Sequence, residues 1–523
     1  MSAKKIFKAV ATVTVFSVIT RTLSFLFKIY LSRTLGAEVV GLYHISISMF
    51  FLFSAISASG LPTVLSRKIA ESRAASCGET AVKINNTNGS FVSAALGIGL
   101  ALSVLTTICL LLLEPFLGKL FTDGRAVPMF LIMTPALITT SIYSILRGWF
   151  WGTKQFAHFS ITEMIEEILR ILFTLFFISG VMSGFNKAYG LAVAFTISDA
   201  AVALILIIMF FKKDGKLKKF DKDTFTKVAK PALPLTTMRI FASLTSTLIA
   251  IILPMRLVVS GMSTEDATAS YGRIAGMAGP LLFAPNALIG ALAVVLVPEM
   301  SESGVKKNNK ELNRHINNGI IFSILMCGAF AAVYYALGKE ITEFLFDDTL
   351  SGEYLKASSP ILLIMPIYHM LSSAMHSIGM EKEAFFTFLI STVFMMMSVY
   401  FLTPYIGVNS VIVANVSMLI VSTIGNLYYL RKAINFDFGF IKTFVLVSLF
   451  VFPVSFMGRN IYSLLYGVND VLALFAALII AFGAYAALVS ATGLIDIGGF
   501  IKTGLKFTKK KSDKATSLSA NSE

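Results

Sequence analysis

Long apolar runs alternate with short polar interruptions along this chain, and each run has about the length of a bilayer crossing, ~20 residues for ~30 Å of hydrocarbon. Breaking the runs at charged clusters, Gly and Pro predicts helices at 8–34, 39–66, 88–113, 127–150, 158–181, 188–211, 229–254, 268–298, 316–338, 358–380, 384–404, 408–431, 441–459 and 470–492. Such runs span lipid as helices, because hydrocarbon offers no partner to a backbone N–H or C=O. The pattern therefore predicts an all-α polytopic membrane protein with about fourteen transmembrane helices.

Composition agrees: 56% of residues are hydrophobic, 14% are charged and mean hydropathy is +0.79, too apolar for a soluble globular chain. The net charge of +15 does not point to nucleic acid, since the basic residues are spread through short connections and form no single patch. Placing both ends in the cytoplasm puts most connecting Lys and Arg on the cytoplasmic side, which predicts that orientation in the cell membrane. Lys4, Lys5 and Lys8 precede an apolar run with no small-residue cleavage site, so the first helix reads as uncleaved. Cys77, Cys109 and Cys327 have no paired spacing, so neither a disulfide nor a zinc site is expected.

The basic connection 212–228 divides the chain into two halves with weak internal likeness. Leu61-Pro62-Thr63-Val64-Leu65 is echoed by Leu292-Ala293-Val294-Val295-Leu296, and Leu131-Ile132-Met133-Thr134-Pro135 by Leu363-Ile364-Met365-Pro366. These echoes predict two pseudo-symmetric six-helix lobes, 1–211 and 229–435, with two further C-terminal helices in 436–501 and a polar cytoplasmic tail at 502–523. The two extra helices either carry a lipid-facing groove or pad the second lobe. Lys509, Lys510 and Lys511 give the tail an attraction to anionic lipid headgroups. Parallel six-helix repeats are a transporter plan, with cargo between the lobes.

Charge inside the membrane costs at least ~2.5 kcal/mol per residue, so each instance needs a partner, water or a role. Arg21 lies about twelve residues into its segment, ~18 Å deep at 1.5 Å per residue, and Lys28 follows on nearly the same face. Segment 158–181 gathers Glu163, Glu166, Glu167 and Arg170 within an arc of about 100°, with Glu166 and Arg170 in the favourable i, i+4 order. Glu163 and Glu167 then have three possible roles: answering the basic residues of the first helix, carrying a coupling proton or Na⁺, or remaining solvated at the membrane edge. Asp199 is a candidate proton carrier or an interhelical hydrogen-bonding group; Arg239, at a depth comparable with Arg21, joins Arg21 and Lys28 as a candidate cargo-binding residue of a central cleft, and Arg273, nearer the outer surface, is a further cargo-binding candidate or an interfacial anchor. His369 and His376 share a helix face, but with no third ligand in view no metal site is predicted.

Proline and glycine cluster in the seventh and eighth segments. Pro231, Pro234 and Pro254 fall near or in the seventh and Pro280, Pro285 and Pro298 in or at the end of the eighth, where Gly272, Gly276, Gly279 and Gly290 loosen the helix further. Proline removes a helical hydrogen bond, so Pro254, Pro280 and Pro285 are hinge candidates.

Arg21-Thr22-Leu23, Leu31 to Ala37, Gly60-Leu61-Pro62 and Val297-Pro298-Glu299-Met300-Ser301 resemble, in order and position, the polysaccharide-biosynthesis branch of the MOP flippase superfamily. Within that branch the likeness is to the stage V sporulation protein B family, related to the MurJ group. The resemblance implies an alternating-access flippase, not an enzyme, for an undecaprenyl-pyrophosphate-linked saccharide such as lipid II, working beside membrane lipid and cell-wall synthesis partners. It also implies basic cavity residues that meet the pyrophosphate. Arg21 matches the first of these, Lys28 lies near a second, and Ser54 and Ser57 stand where MurJ is basic, so a less positive cavity is expected. Arg suits bidentate phosphate contact. No Walker-type Gly-Lys-Ser/Thr run is present, which leaves an ion gradient or the membrane potential as the energy source. The competing readings are an ion-coupled exporter of cationic drugs on the same plan, a membrane glycosyltransferase and a scaffold. Acids lining the cleft would favour the exporter, and a large polar catalytic loop the transferase.

Overall fold

In the computed structural model, residues 3–75, 81–179, 186–467 and 469–493 are described, and all regular structure among them is helical. Cys77, the side chains of Lys4, Lys5 and Lys8, and the expected tail 502–523 lie outside the described residues.

The chain divides into two compact units. The first holds α1 (Ala3–Ala58), α2 (Leu61–Ala75), α3 (Ala81–Leu112), α4 (Glu114–Leu120), α5 (Ala126–Met133), α6 (Ala136–Gly152), α7 (Phe156–Ile178), α8 (Lys187–Lys212), α9 (Lys222–Val259), α10 (Thr264–Gly272) and a π-helical stretch, Arg273–Ala278. After α11 (Gly279–Leu282), at the boundary, the second unit holds α12 (Asn286–Val305), α13 (Asn309–Phe346), α14 (Thr349–Ser358), α15 (Ile361–Ser377), most of α16 (Glu381–Ile406), α17 (Ser410–Ile434), α18 (Ile441–Leu465) and α19 (Asp470–Ala491). Residues 396–411 belong to the first unit. Packing thus divides at Pro280, whereas the expected lobes are a statement about repeat symmetry.

Among the described residues, eight helical runs are long and apolar enough to cross a membrane, or ten when two bent pairs are counted. Two of the eight, Val13–Arg73 and Glu381–Ile434, contain 61 and 54 residues, so at ~1.5 Å per residue each is long enough for two crossings. α7 is not among the eight, because its face of acids and Arg170 dilutes an otherwise apolar helix.

The expected break between the first two segments stands at Gly36, where φ 77° and ψ 172° are non-helical and open to glycine, so α1 is kinked there into two parts. Several other segment boundaries need correction. The second segment itself breaks at Ser59–Gly60. Segment 127–150 is a pair of helices bent by 45° next to Pro135. The basic connection is shorter than expected: Asp221 accepts from the Thr224 N–H at 2.9 Å and starts α9 at Lys222, so helix takes in the second part of the connection. Pro254 lies buried in uninterrupted α9, while Pro280 lies in short α11 and Pro285 ends the non-helical turn 283–285 that follows it.

The first unit packs around α6. Ile145, Leu146, Trp149 and Phe150 meet Leu61, Val64, Leu65 and Ile69 of α2 and Val202, Leu206 and Phe210 of α8 in one buried cluster. Trp149 stands edge-on to Phe210 with ring centroids 4.9 Å apart. Lipid tails are as apolar as these side chains, so close contact and not water exclusion holds such helices together. Small residues serve the same end where α1 meets α10, since a Cβ on Gly41 would come within 2.1 Å of the Thr268 carbonyl oxygen. In the second unit, α18 and α19 pack on α13. Tyr485 of α19 donates to the Leu325 carbonyl at 2.8 Å, and Arg459 of α18 reaches Glu340 at 2.5 Å.

Candidate functional site

Three helices of the first unit each turn one face toward one space, α1 and α9 with mostly small and hydroxyl side chains and α6 with a serine, an arginine and a tryptophan. Ser48, Phe51, Ser54 and Ala58 of α1, Ser144, Arg147 and Trp151 of α6, and Arg239, Ser243 and Ser246 of α9 recur at helical spacing. With Ser59, Pro62 and Thr63 at the α1–α2 turn they line a cavity of about 600 Å³. No carboxylate stands among its lining residues.

The two arginines are held differently. The Arg147 guanidinium lies 4.5 Å from the Trp151 ring centroid and 4.2 Å from that of Phe159, so two aromatic faces fix its plane. Its Nη2 is 3.5 Å from Glu163, and its Nε is buried without a hydrogen-bond partner. Arg239 donates through Nη1 to the Ser59 carbonyl and through Nη2 to the Thr63 hydroxyl at 3.2 Å. Both guanidinium groups thus present donors beside an open, hydroxyl-rich space, an environment suited to an oxyanion with polar substituents.

A second chamber of about 340 Å³ shares Ser48 and Phe51 with the first. The bend at Gly36 folds the two parts of α1 around it, so Ser24 and Lys28 come from one and Tyr43 and His44 from the other. Glu167 and Arg170 of α7 complete its polar lining. Arg170 pairs with Glu166 and, at 3.1 Å, with Glu167. Lys28 stands within electrostatic reach of Glu167 and His44. Asp199 is buried behind this group and accepts hydrogen bonds from Thr139 and, at 3.0 Å, from Thr140.

Sequence reasoning placed Arg21, Lys28, Arg239 and Arg273 together as cargo-binding residues. Arg239 lines the large cavity and Lys28 the smaller chamber, whereas Arg21 and Arg273 are not among the lining residues of either. Arg21 is exposed on α1 within electrostatic reach of Glu163, and Arg273 opens the π-helical stretch. Arg147 was missed, along with Trp151, Tyr43 and His44. The available signal was Arg147-Gly148-Trp149-Phe150-Trp151, which holds both tryptophans of the chain. Ser54 lines the cavity as expected of a hydroxyl on α1, and its cations come from α6 and α9.

A further charged cluster lies outside the membrane-spanning helices, in the connection between α4 and α5. Arg125 donates to Asp123 through Nε at 3.0 Å, Nη2 at 2.7 Å and its backbone N–H at 3.0 Å, and reaches Glu38 at 2.7 Å. Burial works against ionisation of Asp123, but the hydrogen bonds and charge of Arg125, helped by Thr268, outweigh it and hold the carboxyl below its ordinary range.

The family model described as polysaccharide biosynthesis protein matches residues 6–304, more than half of the chain. The chain belongs to the polysaccharide biosynthesis protein family. Among curated relatives, stage V sporulation protein B of Bacillus subtilis (strain 168) is 24% identical over 422 residues, covering 78% of this chain and 80% of that protein. The lipid II flippase MurJ of the same organism is 21% identical over 425 residues, covering 75% and 76%. Among solved structures, the lipid II flippase MurJ in an inward closed conformation superposes with a TM-score of 0.73 at 16% identity, covering 92% of this chain and 98% of that one. A multidrug resistance MATE family transporter of the MOP superfamily, in an inward-facing conformation, gives 0.63 at 16% identity, covering 82% and 98%. This family member is therefore a multi-pass membrane protein with the MOP transporter fold, and both the resemblance to stage V sporulation protein B and the all-α polytopic architecture hold.

Proposed function

We propose that this protein is a flippase that carries a polyprenyl-pyrophosphate-linked saccharide, lipid II or a related peptidoglycan precursor, across the cell membrane by alternating access. The observation that carries this reading is the cavity lined by Arg147, Arg239 and seven serine or threonine residues with no carboxylate among them. Two guanidinium groups complement a pyrophosphate, the hydroxyls complement sugar, and the polyprenyl tail can remain in lipid. A cationic drug would meet the wrong charge here, which disfavours the exporter reading. MOP-family relatives that flip or transport support transport over catalysis.

In this proposal both termini face the cytoplasm, and the charged group on α7 with Asp199 couples cargo movement to a proton or Na⁺. Cell-wall synthesis enzymes are the expected partners. Reconstituted protein should move labelled lipid-linked precursor between leaflets of a liposome. Arg147→Ala with Arg239→Ala should slow that movement by at least about tenfold, the loss of one charge-assisted hydrogen bond or more. A folded double variant that moves precursor at the wild-type rate would remove the cavity from the mechanism.

A further inference from the structure

Arg239 does two incompatible jobs at the floor of the cavity. Its donors face the space where an anion would sit, yet they are already given to the Ser59 carbonyl and the Thr63 hydroxyl of the α1–α2 turn. The same turn is fastened to α9 one helical turn earlier, where the Gly60 N–H donates to the Thr236 hydroxyl at 3.1 Å. The fit there is close: a Cβ on Gly60 would lie 2.4 Å from the Ala232 carbonyl oxygen and 2.4 Å from the Thr236 hydroxyl. On its other side the turn supports α6, because a Cβ on Gly148 would lie 2.5 Å from the Pro62 carbonyl oxygen. The turn therefore sits between the two helices that supply the cavity's arginines.

α9 is also weakened at this level. Pro231 and Pro234 lie just before Thr236 and Arg239, and each lacks the N–H that would close a helical hydrogen bond to the residue four places earlier. Further along, α9 is tied to α1 again, through the Thr247 hydroxyl to the Ser48 carbonyl at 2.9 Å. Contacts to the α1–α2 turn thus restrain the segment of α9 that its own backbone restrains least.

We propose that Arg239, Thr236 and the Ser59–Gly60 turn form a cargo-sensitive latch: a pyrophosphate in the cavity takes the Arg239 donors from Ser59 and releases the proline-bearing start of α9. This rests on the cavity being the cargo site, and it adds how occupancy is converted into movement. A ligand shifts a conformational equilibrium only through a difference in affinity between the two states, and the guanidinium supplies that difference, since its donors serve the turn in one state and the anion in the other. Linkage is reciprocal, so weakening the latch tightens anion binding.

Inorganic pyrophosphate, added to the full-length protein in nanodiscs, is the probe, with its affinity read by titration and amide hydrogen exchange read over 59–64 and 231–240. Binding should raise exchange in both segments. Thr236→Val, which cuts the latch without changing a cavity-lining residue, should begin with raised exchange and bind pyrophosphate about threefold to tenfold more tightly, the range of one hydrogen bond. Thr236→Ser should restore wild-type affinity, and Arg239→Lys should bind more weakly and lose the exchange response. Pyrophosphate that binds while both segments keep their exchange, or a Thr236→Val variant that binds equally or less tightly, overturns the latch and leaves the cavity reading standing. No binding to the wild-type protein overturns the cavity reading first and the latch with it.

Discussion

Along α1, the cavity beside Ser54 and the chamber beside Lys28 share Ser48 and Phe51 as a common wall, yet their charges are arranged in opposite ways. In the chamber, Arg170 is held by Glu166 and Glu167, and Lys28 faces Glu167. In the cavity, Arg147 is held by two aromatic rings and by one carboxylate at 3.5 Å, while Arg239 is held by a carbonyl and a hydroxyl. Charges neutralised by neighbours stabilise a packed interior. Charges held by neutral groups keep their field available to a ligand. Under the proposed function the contrast gives structural and coupling duties to one region and cargo recognition to the other, and it can be tested by removing charge from each.

The largest effect on stability is expected at Arg170. Removing one partner of a buried ion pair strands the other, at a cost of about 3–5 kcal/mol. Arg170→Leu leaves Glu166 without its ion-pair partner and Glu167 with only the charge of Lys28, so thermal unfolding in detergent should show a large drop that Glu166→Gln with Glu167→Gln substantially reverses. Arg147→Leu should cost far less, about 0.5–2 kcal/mol from its ring contacts, because its carboxylate is looser. Equal losses at the two arginines would erase the distinction between the regions.

A smaller effect is expected at Glu163, the one acid among the described residues that pairs with a cation of the cavity. Its side chain is 31% exposed and its link to Arg147 is long, so its hold on the guanidinium is worth about 0.2–1 kcal/mol. Glu163→Gln should therefore tighten pyrophosphate binding by up to about fivefold, read by titration of the protein in nanodiscs. Weaker binding would mean that Glu163 orients Arg147 for the anion instead of competing with it. Loss of any pH or Na⁺ dependence of transport in the same variant would identify it as a coupling group.

The acid-bearing face of α7 was legible because four charged residues within one helical arc in an apolar run must face away from lipid, and the Glu166–Arg170 spacing named its own partner. Arg147 was not legible, since it stands near the end of an apolar run where arginine is cheap at the interface. Its role depends on the rotation of α6 against α7 and α9, which periodicity leaves undetermined. The same limit applies to the lining faces: each helix shows its own 3–4 spacing, but only packing shows that three of them meet. The break at Ser59–Gly60 was hidden inside an apolar run, because what demands glycine there is the Thr236 contact from a helix far away in sequence. Gly36 was legible as a boundary between segments, because the chain leaves helical conformation there at a dihedral pair that glycine accepts.

The smallest effect sharpens the comparison from outside the membrane, where Asp123 combines burial with full pairing. Its carboxyl lies below the ordinary range in the folded protein because Arg125 and Thr268 outweigh the burial that opposes its charge. A group with a depressed folded pKa contributes stability above its unfolded value, about 3.9 for aspartate, and loses that contribution as pH falls through the folded value. Asp123 should thus leave the melting temperature unchanged between neutral pH and about pH 5, then contribute a downward limb below about pH 4. Asp123→Asn keeps the shape of the side chain and removes the titration, so it should lower the melting temperature modestly at neutral pH and flatten the acid limb. Arg125 would then keep Glu38 as its remaining carboxylate partner in the cluster, 2.7 Å away, which limits the loss to less than that of stranding a buried charge. An acid limb of unchanged steepness in Asp123→Asn would show that other carboxylates govern acid unfolding. A loss as large as that of Arg170→Leu would show that this cluster, and not the chamber on α7, carries the strongest charge pairing in the first unit.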